Sequence, residues 1–270
     1  MLKSPRPDGY PVARAAGALL AAAVLGLSGC AAHQAVPAAP APTPAEVYRS
    51  LLGRNPGLTS VRAVAEARLS YAGQEVSLPG VLQLDTLGGF RLDLLDPLDR
   101  PLSMLFVDEG RIVNYRPGPG LAASLGVFPA GCRGVDPADW VPTILASSIA
   151  PVAGEKLADR SLWGGGRALE RHRGSQLYQS IRYANTAGRV LPRQVSWYCD
   201  EDPVLQVRLL AWTQGPDWSL PSHFEILFPK AGLAIRLELT EIEGNPPPTN
   251  QPLRPRLGSD IRWTAWNLPQ

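Results

Sequence analysis

Few residue types in this chain of 270 residues are suited to covalent chemistry. It has 3 Cys, 3 His and 2 Met. A serine nucleophile of the elbow type needs Gly-x-Ser-x-Gly, and that spacing does not occur. Neither does His-Glu-x-x-His for zinc, nor a Walker or Gly-x-Gly-x-x-Gly loop for phosphates. His172 and His223 both lie in alternating, strand-like stretches, where a surface or hydrogen-bonded histidine is the ordinary outcome. Asp93, Asp96 and Asp99 are close in sequence but border a turn, where carboxylates are usually solvated. Gly164-Gly165-Gly166 leads into Arg167 with no helix start, so it reads as a hairpin tip rather than a phosphate cradle. No enzyme, no cofactor and no metal are expected. With 26 basic and 24 acidic residues the formal charge is +2, which gives no broad positive field for nucleic acid.

The cysteine whose context does point to chemistry is Cys30. Lys3, Arg6 and Arg14 form a basic start, and Ala15 to Leu27 is an apolar run. A membrane-spanning helix needs about 20 such residues, so this run suits a signal peptide. It ends in Leu27-Ser28-Gly29-Cys30, which resembles the lipobox of bacterial lipoproteins. There the signal is cut before Cys, and the Cys carries acyl chains. Each buried methylene contributes about 0.8 kcal/mol, so several chains anchor stably. Residues 1–29 are therefore expected to be a signal peptide and 30–44, rich in Ala and Pro, a semi-extended tether. The residue after Cys30 is Ala31, not Asp. By resemblance to enterobacterial sorting rules, this favours the outer membrane, with the domain facing the periplasm. An oxidising periplasm permits a bridge between Cys132 and Cys199; the alternative is two buried free thiols.

The elements come from period and turn chemistry. With 26 Gly and 28 Pro, the chain suits short strands and turns better than a helical bundle. Thr43-Pro44-Ala45-Glu46 caps a first helix, with Val47, Leu51 and Leu52 on one stripe. From Val61 the period becomes two, through five strand candidates ending near Tyr115. Leu121 to Phe128 is expected as a short helix. Asp136-Pro137 starts a second, with Trp140, Ile144, Leu145 and Ile149 at helical spacing. Six further strands run from about 167 to 241, and a Pro-rich tail follows Gly244. The expected fold is mainly β (α+β): an open antiparallel barrel or curled sheet of about 10–11 strands, residues 45–270, with a helical lid. Phe90, Leu92, Leu94, Met104 and Phe106 alternate on neighbouring strands, and the helix of Trp140 and Ile144 needs an apolar partner. A dry pocket between lid and sheet is the expectation. Leu98 and Leu102 flank a turn that either meets a lipid surface or tucks under a helix.

Residues 80–117, GVLQLDTLGGFRLDLLDPLDRPLSMLFVDEGRIVNYRP, resemble the core segment of the LolA/LolB lipoprotein-carrier superfamily. Leu220 to Ile226 and the strand from Leu233 to Ile242 look like its closing strands. The resemblance implies an unclosed barrel with a helical lid, whose cavity binds acyl chains of lipoproteins, and lipid-anchored members that receive cargo at the outer membrane. It also implies a polar latch to the lid at Arg91. Strict alternation sets Arg91 opposite Phe90, Leu92 and Leu94. Either Arg91 points into the cavity, the preferred reading, or it is a surface charge. The implied partners are the membrane, lipid or lipidated cargo, and a periplasmic carrier. A structural or assembly lipoprotein using this fold to dock proteins is the alternative.

Overall fold

Almost every stretch with period two becomes a strand of one sheet. The computed structural model describes residues 42–268 apart from 53, 109–110, 127–136, 146–153, 164–165, 187–188 and 248–251. The signal segment, Cys30, the tether up to residue 41, and Cys132 lie outside the described residues.

Helix α1 (Pro44–Leu52) starts where the sequence predicts. Thr43 Oγ1 accepts from the Glu46 backbone N–H (3.3 Å), and the Glu46 carboxylate accepts from the Thr43 N–H (2.7 Å). This reciprocal box satisfies donors that a helix start otherwise leaves free. Then come β1 (Ser60–Tyr71), β2 (Gln74–Asp85), β3 (Phe90–Leu95), β4 (Pro101–Asp108), β5 (Arg111–Arg116) and β6 (Leu121–Gly126). Helix α2 (Pro137–Ile144) follows. The second run is β7 (Glu155–Ser161), β8 (Arg167–Arg173), β9 (Gln176–Thr186), β10 (Arg189–Cys199), β11 (Asp202–Gln214), β12 (Ser219–Phe228) and β13 (Leu233–Gly244). A three-residue strand, β14 (Arg262–Thr264), ends the order.

The fourteen strands form a single sheet in the order β14-β6-β5-β4-β3-β2-β1-β13-β12-β11-β10-β9-β8-β7. Its two edges, β14 and β7, do not pair, so the curl is not closed. Pairing is antiparallel except between β14 and β6. β1 and β13 join the two halves in the middle. On β1, Val61, Ala63, Ala65, Ala67 and Leu69 are buried while Arg62, Glu66 and Arg68 are exposed. The alternation turns one face inward. Three of those inward residues are alanine, which leaves room inside the curl for larger side chains from elsewhere. Gly80 meets a different need. A Cβ there would lie 2.6 Å from the Asp93 carbonyl oxygen, so β2 and β3 pair this closely only with glycine.

Two elements depart from expectation. Of the helix expected over 121–128, Leu121–Gly126 is instead strand β6. The turn Pro117–Gly120, with Gly120 at φ +60°, reverses the chain directly beside β5, so Leu121 falls opposite Arg116. A free strand edge then outweighs local helix preference. The strand count also exceeds ten or eleven, because β6, β7 and β14 lack the apolar alternation that marks a strand in sequence. The partly covered positions of β7 are Glu155, Leu157 and Asp159, so its alternation carries charge where hydrophobic residues would signal a strand.

Candidate functional site

The inward face is the surface on which the expected ligand site can be judged. β3 supplies Phe90, Leu92 and Leu94, each fully buried. Leu84 faces Phe90 and Leu82 faces Leu92 on β2, while Leu105 faces Leu92 on β4. Helix α2 lays Trp140, Val141 and Ile144 into the same core, and Leu145 directly after it joins them. The Trp140 ring lies 5.1 Å from Phe90, tilted by 44°, and meets Phe228 edge-on at 6.3 Å. The structure therefore brings together Phe90, Leu92, Leu94, Trp140 and Ile144.

Met104 and Phe106 do not join them. Directly paired residues share a face, and Arg91 pairs with Phe106 while Asp93 pairs with Met104. These four occupy the outer face of the sheet. The inward residues of β4 are Leu105 and Val107, a facing that the pairing with β3 sets and that β4's own alternation does not.

Arg91 turns away from α2 and is not a surface charge. It is 6% exposed, on the face opposite α2. Its Nε donates to the Asp93 carboxylate at 3.0 Å, and Nη1 donates to the Pro252 carbonyl at 3.0 Å. Leu253 lies against Gly89 nearby. The Pro-rich tail thus covers the outside of β3, and Arg91 holds it there.

The lid is held by a different residue. Asn55, 1% exposed, follows α1. Its amide nitrogen donates to Leu145 O (2.6 Å) and Ser219 O (2.9 Å), and its amide oxygen accepts from Ser219 N–H (2.9 Å). This ties the end of α2 to the start of β12. Pro142 sits inside α2 and helps keep that helix short.

A second buried polar cluster lies beneath α1 and was missed from the sequence. Arg171 on β8 is ion-paired with Glu155 on β7 through Nε, and Nη2 adds a 2.9 Å bond to the same carboxylate. Nη1 donates to Gln179 Oε1 at 2.5 Å and Nη2 to Tyr48 Oη at 3.4 Å. Burial would strip the guanidinium of its proton, but the Glu155 hydrogen bond and the surrounding groups hold its pKa above the ordinary value. Burial pushes the Tyr48 hydroxyl up to about 12. Burial, aided by a hydrogen bond to Asp159, pushes Tyr183 up to about 12 as well. The available signal was parity: Arg171 sits two residues from inward Leu169 on β8, so alternation alone points it inward.

Leu98 is 71% exposed at the tip of the β3–β4 turn, which the Asp96–Arg100 ion pair closes at 2.6 Å. Cys199 is disulfide-bonded, and its partner falls outside the described residues. No group of three or more acidic, His or Cys side chains among the described residues is placed to hold a metal. No helix among them is long and apolar enough to cross a membrane.

No known family profile and no curated protein matches the chain in sequence. A search of solved structures finds similar chains. A domain assigned as an outer membrane lipoprotein-sorting protein from Vibrio parahaemolyticus is 11% identical, covering 77% of this chain and 93% of its own, with a TM-score of 0.47. A LolA superfamily protein from Nitrosomonas europaea is 11% identical over 77% of this chain and 96% of its own, with a TM-score of 0.46. The lipoprotein LppX of Mycobacterium tuberculosis is 9% identical over 77% and 96%, with a TM-score of 0.24.

Proposed function

We propose that this chain is a lipid-anchored protein of the bacterial envelope that takes acyl chains of lipoproteins or lipids against its inward sheet face. It would act in lipoprotein or lipid transfer at the outer membrane, anchored through Cys30 and facing the periplasm. The observation that carries the reading is the unclosed sheet with a wholly apolar inward stripe, Phe90, Leu92 and Leu94, beneath the separate helix α2. An open edge and a lid attached mainly by side chains give such a core a way to admit a chain. Transfer needs no covalent step. An acyl chain of about fourteen methylenes is worth roughly 11 kcal/mol in transfer from water, so the protein must replace most of that burial. Exposed Leu98 supports contact with a lipid surface at the β3–β4 turn. Within this reading Cys132 is the disulfide partner of Cys199.

The rival reading is a structural or assembly lipoprotein that docks proteins. It is favoured by how fully Trp140, Phe90 and Phe228 already fill the interior. Native mass spectrometry with lipid extraction separates the two. The expected result is acyl lipid bound to the folded protein, and displacement of it by a fluorescent fatty acid with quenching of Trp emission. Folded protein that carries no lipid and takes up no fatty acid leaves the docking reading alone.

A further inference from the structure

The tail does more than cover the outer face at Arg91. Past β14 it turns inside. Trp266 and Leu268 are 8% and 3% exposed and belong to the inward core. Trp266 meets Tyr71 of β1 edge-on at 6.3 Å, with the tail paired to β6 just before it. The segment therefore lies on the inward face between β5 and Tyr71 at the end of β1. Asn114 and Arg116 of β5 hold it: Asn114 Nδ2 donates to Asn267 O (3.1 Å) and Arg116 Nη2 to Leu268 O (2.9 Å). Asn114 faces Leu105 and Ala123, so it too points inward.

The fit of this segment is imperfect in three ways. Trp266 Nε1 and Asn114 Oδ1 are buried with no hydrogen-bond partner among the described residues, a costly arrangement. A hollow of about 40 Å³ remains between Asn114, Arg116 and Ala123 on one side and Thr264, Ala265 and Asn267 on the other. That is room for water and not for an acyl chain. The attachment at β14 is only three residues long, all exposed.

We propose that Trp266–Leu268 is a built-in occupant of the β5–β6 end of the acyl site, whose other end is the stripe beneath α2. The inference rests on the acyl-binding reading above. Bound ligand takes the place of Trp266 and Leu268 with its chain. Its carboxylate or ester carbonyl takes the two donors, Asn114 Nδ2 and Arg116 Nη2, that tail carbonyls now hold. The tail must leave before the chain enters, so the apparent affinity of the intact protein is reduced by the fraction of molecules with the tail in place.

The test compares the full chain with one ending at Gly258, and with Trp266→Ser/Leu268→Ser in the full chain. The probes are a fluorescent fatty acid and a triacylated lipopeptide. Their relative affinities separate free acid from lipoprotein as the source of the acyl group. Both variants should bind the preferred probe roughly tenfold tighter or more. In the parent, adding that probe should speed amide exchange over 262–268. Folded variants that bind no tighter, or slower exchange over 262–268 with probe bound, overturn the proposal. If parent and variants all fail to take up either probe, the acyl-binding reading itself fails. The exchange measurement on the parent decides the matter even where the shortened chain does not fold.

Discussion

Asn55 bonds to three backbone atoms on two separate segments, and all of that sits out of water. Removing such a side chain leaves two carbonyls and one N–H without partners, each costly when buried. Asn55→Ala should therefore lower unfolding stability by about 3 kcal/mol, read from urea denaturation. Arg91 has a comparable duty on the outside. Replacing it with Leu should loosen the tail at Pro252 and leave the inward face unaltered. Cys199 gives a redox prediction at the same scale. Its disulfide should leave Cys132 and Cys199 without free thiol in unfolded, unreduced protein, and tryptic peptides containing the two should migrate together until reduced. Two titratable thiols in that sample would remove the pairing with Cys132.

At the scale of elements, α1 is clamped to β7, β8 and β9 by the Arg171–Glu155–Tyr48–Gln179 cluster. The side chains of Arg171 and Glu155 are 4% and 5% exposed. Breaking one partner of such a pair is expensive because a charge stays buried alone. Glu155→Gln should cost about 3–5 kcal/mol, while replacing Glu155 and Arg171 together with Leu and Met should restore much of it. A double-mutant cycle in urea measures both. The tyrosines nearby set an alkaline limit. Tyr48 and Tyr183 rise from 10.0 to about 12, so the folded state holds their protons more tightly than the unfolded chain does. Their contribution is complete below about pH 10 and is lost as pH rises through about 12. Stability against urea should fall across that window, alongside late phenolate absorbance. Stability unchanged from pH 10 to 12 would show that these hydroxyls ionise alike in both states.

For the whole molecule, the curled sheet has two unpaired edges among the described residues, and its interior is filled by parts added from three places: α1, α2 and the C-terminal tail. None of these is a strand of the curl's continuous antiparallel run, and each is held by a few polar contacts. That separation is what would let the interior be reopened without unravelling the sheet. Anchoring belongs to this scale too. Cys30→Ala should abolish fatty-acid labelling and move the protein from the membrane to the soluble fraction. Labelling that persists in this variant would end the lipoprotein reading.

Much of this architecture follows from the amino-acid sequence alone. The Thr43–Glu46 box marks α1, and β1 alternates between Ala and charge so cleanly that its inward face is plain from the residues. The curled antiparallel sheet with helices laid on one side follows from those periods. The resemblance at residues 80–117 added the unclosed barrel. Local pattern failed where an edge or a partner strand decided the outcome. β6 is a strand because β5 presents its backbone edge beside it, and β7 because buried Arg171 and half-buried Arg167 on β8 receive its acids. The facing of Met104, Phe106 and Arg91 depended on the register between β3 and β4, since a shift of one residue exchanges the two faces. The tail's course was invisible for a similar reason. Pro-rich sequence states that a segment is extended but not where it lies, and only tertiary packing placed Pro252 over Arg91 and Trp266 inside the curl.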